Sequence, residues 1–153
     1  VEQTFFPIPN PPSPIPHPQS PNPNLLLIGR RDLRSNNSWM HNSHRLVKGK
    51  PRCTLLMHPA DAADRRLTDG QMVTVTSRVG QVSLPLVVSD AIMPGVVSMP
   101  HGWGYGQDGV QLAVAQAHPG VSINDLTDEA LLDVLTGNAV LNGVPVTVVV
   151  MER

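Results

Sequence analysis

The chain has 153 residues and a net charge of −1, from 11 Lys and Arg against 12 Asp and Glu. That length holds one domain, or one domain with a tail, and the charge balance excludes a globally basic nucleic-acid binder. Its single cysteine, Cys53, excludes an intrachain disulfide, a cysteine-based zinc site and a cysteine-ligated iron–sulfur cluster.

Nine of the 16 prolines fall within the first 23 residues. Such a stretch lacks donors for a hydrogen-bond ladder and favours extended polyproline II conformation. Residues 1–23 therefore read as a leader, linker or strap, and the domain spans 24–153. An SH3-type ligand is the weaker reading, because PxxP spacing recurs in any Pro-rich tract.

Residues 25–29 form an apolar run ending in glycine and predict a first strand. A second is expected over 53–58, followed by a short helix over 59–67 that opens on Pro59 with Asp61 in its first turn. Thr68-Asp69-Gly70 is a turn. Val73 and Val75 then alternate with threonines, and after Val79-Gly80 the residues Val82, Leu84, Leu86 and Val88 alternate again, which predicts a β-hairpin. Pro85 inside the second strand implies an edge or a bulge. Further strands are expected at 96–99 and 144–150. Helices are expected at 110–117 and 127–135, the latter capped by Thr127 or Asp125 and stopped by Gly137.

Six short strands with a few short helices predict a mainly β protein, a small barrel with helical insertions. The strands contain no Phe, Tyr or Trp, so the core falls to aliphatic residues and Met. Trp39, Trp103 and Tyr105 lie instead in Gly- or Asn-rich loops, either as rim packing or as flat surfaces on which a planar ligand stacks.

The net charge hides a split. Residues 25–58 carry seven bases and one acid, while 59–153 carry four bases and ten acids. A local positive excess confined to one segment points to a single site for an anionic ligand.

Gly104-Tyr-Gly106-Gln-Asp-Gly109 is a literal GxGxxG. It is rejected as a dinucleotide fingerprint, because His101-Gly102-Trp103 separates it from the strand and the preceding elements form a hairpin, not βαβ units. His41 and His44, with Cys53 and His58 nearby, lack a ligand pair to complete a metal site. No G-x-S-x-G elbow and no P-loop is present. Asn36-Asn-Ser38 fits a glycosylation acceptor only in a secreted protein.

The most informative segment runs from Ile28 to Asn42, a strand that ends in Gly29 and opens into a loop dense in Arg, Ser and Asn with one Trp. Arginine forks and Ser or Asn groups suit phosphates and heterocycle edges. Further pieces follow in order: His58-Pro59-Ala-Asp61-Ala62, Asp69-Gly70, Val73-x-Val75-x-Ser77, Met93-Pro-Gly95 through Pro100-His101-Gly102-Trp103-Gly104, Asn124-Asp-Leu126-Thr127, and Thr136-Gly137-Asn138 through Gly143. In that combination, over about residues 24–150, the chain resembles the C-terminal molybdopterin dinucleotide-binding domain of oxidoreductases of the dimethyl-sulfoxide-reductase superfamily.

The resemblance implies a double-psi β-barrel of the aspartate-decarboxylase-like type. It implies a domain that grips the dinucleotide ends of a bis-molybdopterin guanine dinucleotide cofactor. Gly29, Arg30, Arg31, Arg34, Ser35, Asn36, Asn37, Ser38 and Trp39 would approach pterin and pyrophosphate. His101, Gly102 and Trp103 would line a second loop, and Asn124 would hydrogen-bond the cofactor. Molybdenum or tungsten would be held by other domains, so no catalysis is expected from this chain alone. The implied partners are upstream catalytic domains of the same polypeptide; further candidates are iron–sulfur and membrane subunits. No nucleic acid is expected, and no membrane insertion, since the longest apolar runs are far shorter than a span. The chain reads as a C-terminal fragment, the alternative being a natural small stand-alone subunit. The expected compartment is the cytoplasm, with the periplasm as the other.

Two further readings compete. A stand-alone double-psi barrel acting as a protein- or nucleic-acid-binding module would use the basic 30–52 segment with Trp39. A self-processing decarboxylase barrel would need a Gly-Ser bond, and no glycine here precedes a serine.

Overall fold

The computed structural model describes residues 25–152; the Pro-rich stretch read as a leader lies outside the described residues. Six strands, β1 (Leu25–Arg30), β2 (Leu55–Met57), β3 (Met72–Thr76), β4 (Gln81–Val88), β5 (Val96–Pro100) and β6 (Val144–Val150), carry the fold. They close into a barrel in the order β1-β5-β2-β4-β3-β6, with β6 returning to β1. The pairs β1/β5 and β2/β4 are parallel and the remaining pairs antiparallel.

Exchanging β1, β2 and β3 for β4, β5 and β6 leaves every neighbour relation unchanged, so the strand order has a pseudo-two-fold. Only β3 and β4 are both consecutive and adjacent; every other connection skips a strand and crosses an end of the barrel. The parallel β1/β5 pair sets Arg30 opposite Pro100. The connections that leave these two strands, residues 31–54 and 101–143, therefore start side by side at one barrel end.

The alternating pattern of the strands is their burial pattern. Leu25, Leu27, Val73, Val75, Leu84, Leu86, Val97 and Met99 point inward and are buried, while their neighbours are less buried, as a pleated strand requires; β5 is the exception, where Ser98 and Pro100 are buried as well. No aromatic side chain enters this core cluster. Burying each such aliphatic side chain stabilises the fold by about 1.5–3 kcal/mol.

Pro85 sits in neither an edge strand nor a bulge. β4 lies between β2 and β3, and its register with β3 runs without interruption from Thr76–Gln81 to Met72–Pro85. Leu86 N donates to Gln71 O, so an amide at position 85 would face away from β3. The β2 ladder begins only at Leu86, so proline removes no ladder bond there.

Three short helices differ from expectation. α1 (His44–Val47) was not anticipated. α2 (Pro59–Asp64) starts as predicted, with His58 Nδ1 accepting from Ala60 N at 3.1 Å, but ends earlier, before Arg66 at φ +55°. α3 spans Ala113–Gln116, shorter than the expected 110–117. Ile123–Leu126 is a 3₁₀ helix capped by Ser122. The helix expected over 127–135 does not form. Asp128 accepts from Ala130 N, and Asp133 accepts from Leu135 N and Thr136 N. These local carboxylate turns compete with helix hydrogen bonding, and a lone bridge joins Leu132 to Ala139. The second strand is also shorter than 53–58, because the Thr54 carbonyl and hydroxyl both accept from Arg30.

Candidate functional site

The barrel end reached by β1 and β5 gathers most of the residues singled out in the sequence. After β1 the chain makes a compact loop: Ser35 N donates to Asp32 O at 3.0 Å, and Met40 N to Ser35 O at 3.2 Å. Asn36 and Asn37 take φ of 42° and 61°, the left-handed region that Asn tolerates better than most residues. The Asp32 carboxylate accepts from Arg34 N at 2.8 Å and pairs with Arg52 at 3.4 Å, so its charge is taken up within the loop. Arg31 and Arg34 are exposed and form no ion pair among the described residues. An open depression of about 650 Å³ is lined by Arg31, Asp32, Leu33, Asn36, Asn37 and Met40, a size that suits a small-molecule ligand. Trp39 stands out into solvent, 85% exposed.

The loop after β5 lies against this one. A Cβ on Gly29 would stand 2.0 Å from His101 Nε2, so the His101 ring rests directly on the Gly29 backbone. Gly29 N donates to Asn142 Oδ1 at 2.8 Å. Gly102, at φ +88°, packs so tightly on the Asn37 carbonyl that a Cβ would fall 1.7 Å from it. Tyr105 Oη donates to Ser38 O at 3.0 Å. Burial, then the nearby Arg31 guanidinium, pushes the His101 ring toward its neutral form.

Between the two loops lies His41, fully buried, with Nε2 2.7 Å from Ser35 Oγ. Its ring stacks on Trp103 at 3.9 Å and meets the edge of Tyr105 at 5.6 Å. Arg52 lies over the Trp103 ring at 5.9 Å, within cation–π range. Trp103 Nε1 is buried with no hydrogen-bond partner among the described residues, a donor left over for a ligand or a bound solvent molecule.

Arg30 and Ser35 hold the site from within. The Arg30 guanidinium donates to Ser98 O, to Thr54 O at 2.7 Å and to Thr54 Oγ1 at 2.9 Å. Its fork is thus occupied by protein oxygens, and burial lowers its pKa. Ser35 is buried against His41. Asn124 is exposed in the 3₁₀ helix, next to Ser122 N-cap contacts. Ser122 packs against Gly104, but no contact joins Asn124 itself to residues 35–39 among the described residues.

Sequence reasoning missed His41, Asn42, Arg52 and Asn142 as site builders, while Tyr105, read as rim packing or a stacking surface, packs between the loops. His41 reads as an unremarkable loop histidine, and its stacking partner is 62 positions away. Asn42 Oδ1 accepts from Val114 N and Ala115 N at 3.1 and 3.3 Å, again across a distance that no local pattern encodes. The GxGxxG stretch forms a loop anchored by Gly104 N and Tyr105 N on Pro119 O. Among the described residues no group of three or more His, Cys, Asp or Glu side chains is placed to hold a metal ion, and no helix is long and apolar enough to cross a membrane.

A family model described as the molydopterin dinucleotide binding domain matches residues 25–145. The dimethyl sulfoxide/trimethylamine N-oxide reductase of Rhodobacter capsulatus is 42% identical over 59 residues, 39% of this chain and 7% of that protein. A polypeptide of the tetrathionate reductase of Salmonella typhimurium is 29% identical over 118 residues, 66% of this chain and 12% of that protein. Among solved structures, acetylene hydratase from Pelobacter acetylenicus superposes with a TM-score of 0.71 at 23% identity, covering 83% of this chain and 18% of that one. This likeness and the pseudo-two-fold strand order make the barrel a double-psi barrel. The chain spans 7 to 12% of the length of these two curated relatives. With four fifths of its length matched by one family model, the chain belongs to the molydopterin dinucleotide binding domain family.

Proposed function

We propose that this chain grips the dinucleotide portion of a bis-molybdopterin guanine dinucleotide cofactor, as one domain of a molybdenum or tungsten oxidoreductase. The observation that carries the reading is the meeting, at one barrel end, of two arginines that form no ion pair among the described residues with a His101-Gly102-Trp103 loop held against the Asn37 backbone. Arg31 and Arg34 suit a pyrophosphate through charge-assisted hydrogen bonds. Asn36 and Asn37 offer both donors and acceptors to a heterocycle edge, and exposed Trp39 offers a face for stacking. Gly29, with no side chain, leaves room for His101 to lie on the backbone, and Trp103 Nε1, buried and without a hydrogen-bond partner among the described residues, is a donor available to a ligand acceptor. When bound, the cofactor would supply the redox chemistry; the residues of this chain bind and orient its nucleotide ends.

The reductases among the relatives support an oxidoreductase as the parent protein, whose substrate is decided outside this domain. A catalytic body contributed by the same polypeptide is the proposed principal partner; iron–sulfur and membrane subunits are further ones. Cys53 is poorly suited to ligate metal here: its thiol packs against the Val121 backbone, and burial pushes it up, away from the thiolate.

The test is an NMR titration of the 153-residue chain with guanosine 5′-diphosphate. Saturable shifts at Trp39, His101 and Gly102 are expected, with affinity about tenfold weaker in an Arg31→Ala, Arg34→Ala double variant. Arg30→Met is expected to lower thermal stability, since it leaves the carbonyls it serves unpaired. Shifts that avoid these loops would overturn the reading, and tighter, strongly salt-dependent binding of single-stranded nucleic acid would favour the module alternative, with the basic segment as its footprint.

A further inference from the structure

Residues 31–42 and 101–117 are tied together at successive points. The Asn37 carbonyl packs on Gly102, Ser38 O accepts from Tyr105 Oη, and Asn42 Oδ1 caps the first turn of α3. These three ties are a backbone packing contact, a single hydrogen bond and a pair of hydrogen bonds onto one side-chain oxygen. The fourth is of another kind. His41 is fully buried, hydrogen-bonded to Ser35 of its own loop through Nε2, and stacked on Trp103 of the other. It is the one ring of the first loop that makes aromatic contacts with rings of the second. The aromatic and hydrogen-bonded contacts of His41 are also independent of the barrel core, which contains neither His41 nor Trp103.

We infer that neutral His41 is the positioning residue that holds the two loops in register, so that the nucleotide-binding face persists only while the imidazole stays uncharged between Ser35 and Trp103. The geometry stands by itself; its consequence for a ligand rests on the cofactor reading above. The groups that face His41 explain why charge is not tolerated. From its own segment come the Ser35 hydroxyl and, farther off, Asp32. From the second loop come the Trp103 and Tyr105 rings and the Gly102 backbone. From the chain before β2 comes the Arg52 guanidinium. Burial chiefly, and then Arg52, holds the ring below its ordinary range, while the Gly102 backbone and Asp32 oppose this. Among the described residues Nδ1 has no well-formed hydrogen bond. Protonation of the ring would place a second cation in a buried space beside Arg52, which favours expulsion of the ring.

The sign follows. The unfolded or released histidine titrates at about 6.5, the packed one lower. The register is therefore fully held above 6.5 and weakens as pH falls from there through the lowered value.

The experiment uses the full chain carrying Trp39→Phe, which leaves Trp103 as the single tryptophan. On adding His41→Ala, Trp103 emission is expected to shift to the red and its acrylamide quenching to rise severalfold, with the far-ultraviolet dichroism of the barrel retained. In the Trp39→Phe protein itself, the same red shift is expected on acidification, with a midpoint below 6.5. His41→Phe keeps a ring on Trp103 but removes the titrating group, so emission should stay blue and the acid transition should vanish. In the chain with Trp39 present, His41→Ala should weaken guanosine 5′-diphosphate binding about tenfold. Unchanged Trp103 emission in His41→Ala, or an acid transition that survives in His41→Phe, overturns the inference. If His41→Ala does not fold, the acid profile of the Trp39→Phe protein decides: a flat profile overturns the inference and a transition below 6.5 supports it. Trp103 behaving as expected in a chain that never binds the nucleotide would sink the cofactor reading and leave the positioning role standing.

Discussion

A methyl group added to Gly29 would lie 2.0 Å from His101 Nε2, the tip of a side chain that can rotate away; one added to Gly102 would lie 1.7 Å from the backbone carbonyl oxygen of Asn37. Gly102 also sits at φ +88°, where a side chain is strained. Gly29→Ala is therefore expected to displace the His101 ring while lowering stability by less than about 1 kcal/mol. Gly102→Ala is expected to cost about 1–3 kcal/mol and to part the loops. Thermal unfolding together with Trp103 emission, read in the Trp39→Phe background, distinguishes the two, and equal melting temperatures for both variants would contradict the difference in their neighbours. Both glycines were named from the sequence as site residues, yet nothing local shows what each one makes room for. The neighbours that explain them, His101 and Asn37, come from the facing loop.

At the scale of elements, the segment 127–143 shows what keeps an irregular stretch in place. Arg78, in the β3–β4 turn, forks onto both carboxylate oxygens of Asp128 and reaches Glu129 at 3.2 Å. The Asp128 carboxyl is held down to about 2, first by the Arg78 hydrogen bonds. A depressed carboxylate pKa contributes stability above the ordinary value, 3.8, which is lost as pH falls from there toward 2. Hydrogen exchange of the amides at Leu131 and Val140 should thus stay slow through mildly acidic pH and rise only toward that limit. Asp128→Asn should speed their exchange at neutral pH while the β3 and β4 amides remain protected. Exchange in the variant that matched the parent would show that the fork does not anchor the segment. Strands were the most legible elements, because alternation reports directly which face is buried. The helix expected at 127–135 failed because its Asp side chains bond to nearby backbone amides, a choice that helix propensity does not reveal. α3 is likewise set from outside, by Asn42, and not by its own sequence.

For the whole molecule, closure of the barrel makes the core cooperative. Leu55 in β2 is 0% exposed and packs within a single aliphatic cluster drawn from all six strands. Leu55→Ala is expected to destabilise the chain by about 2–5 kcal/mol. In guanidinium unfolding this should lower the midpoint without changing the slope; a changed slope would mean that the barrel no longer unfolds as one unit. The amino-acid sequence by itself determined the aliphatic core, the strand segments, the loops that carry cations and aromatics, and the family. Those features follow from local periodicity and composition, which one stretch of chain expresses without reference to another. Only the tertiary structure decided that β1 and β5 run parallel with Arg30 opposite Pro100, and hence that loops some 65 residues apart share one face. It also decided that the Arg30 fork serves the protein's own carbonyls, and that a buried histidine joins the loops. Strand order and loop contact depend on which partners close the barrel, and a pattern of buried and exposed positions says only that a face is covered, not by what.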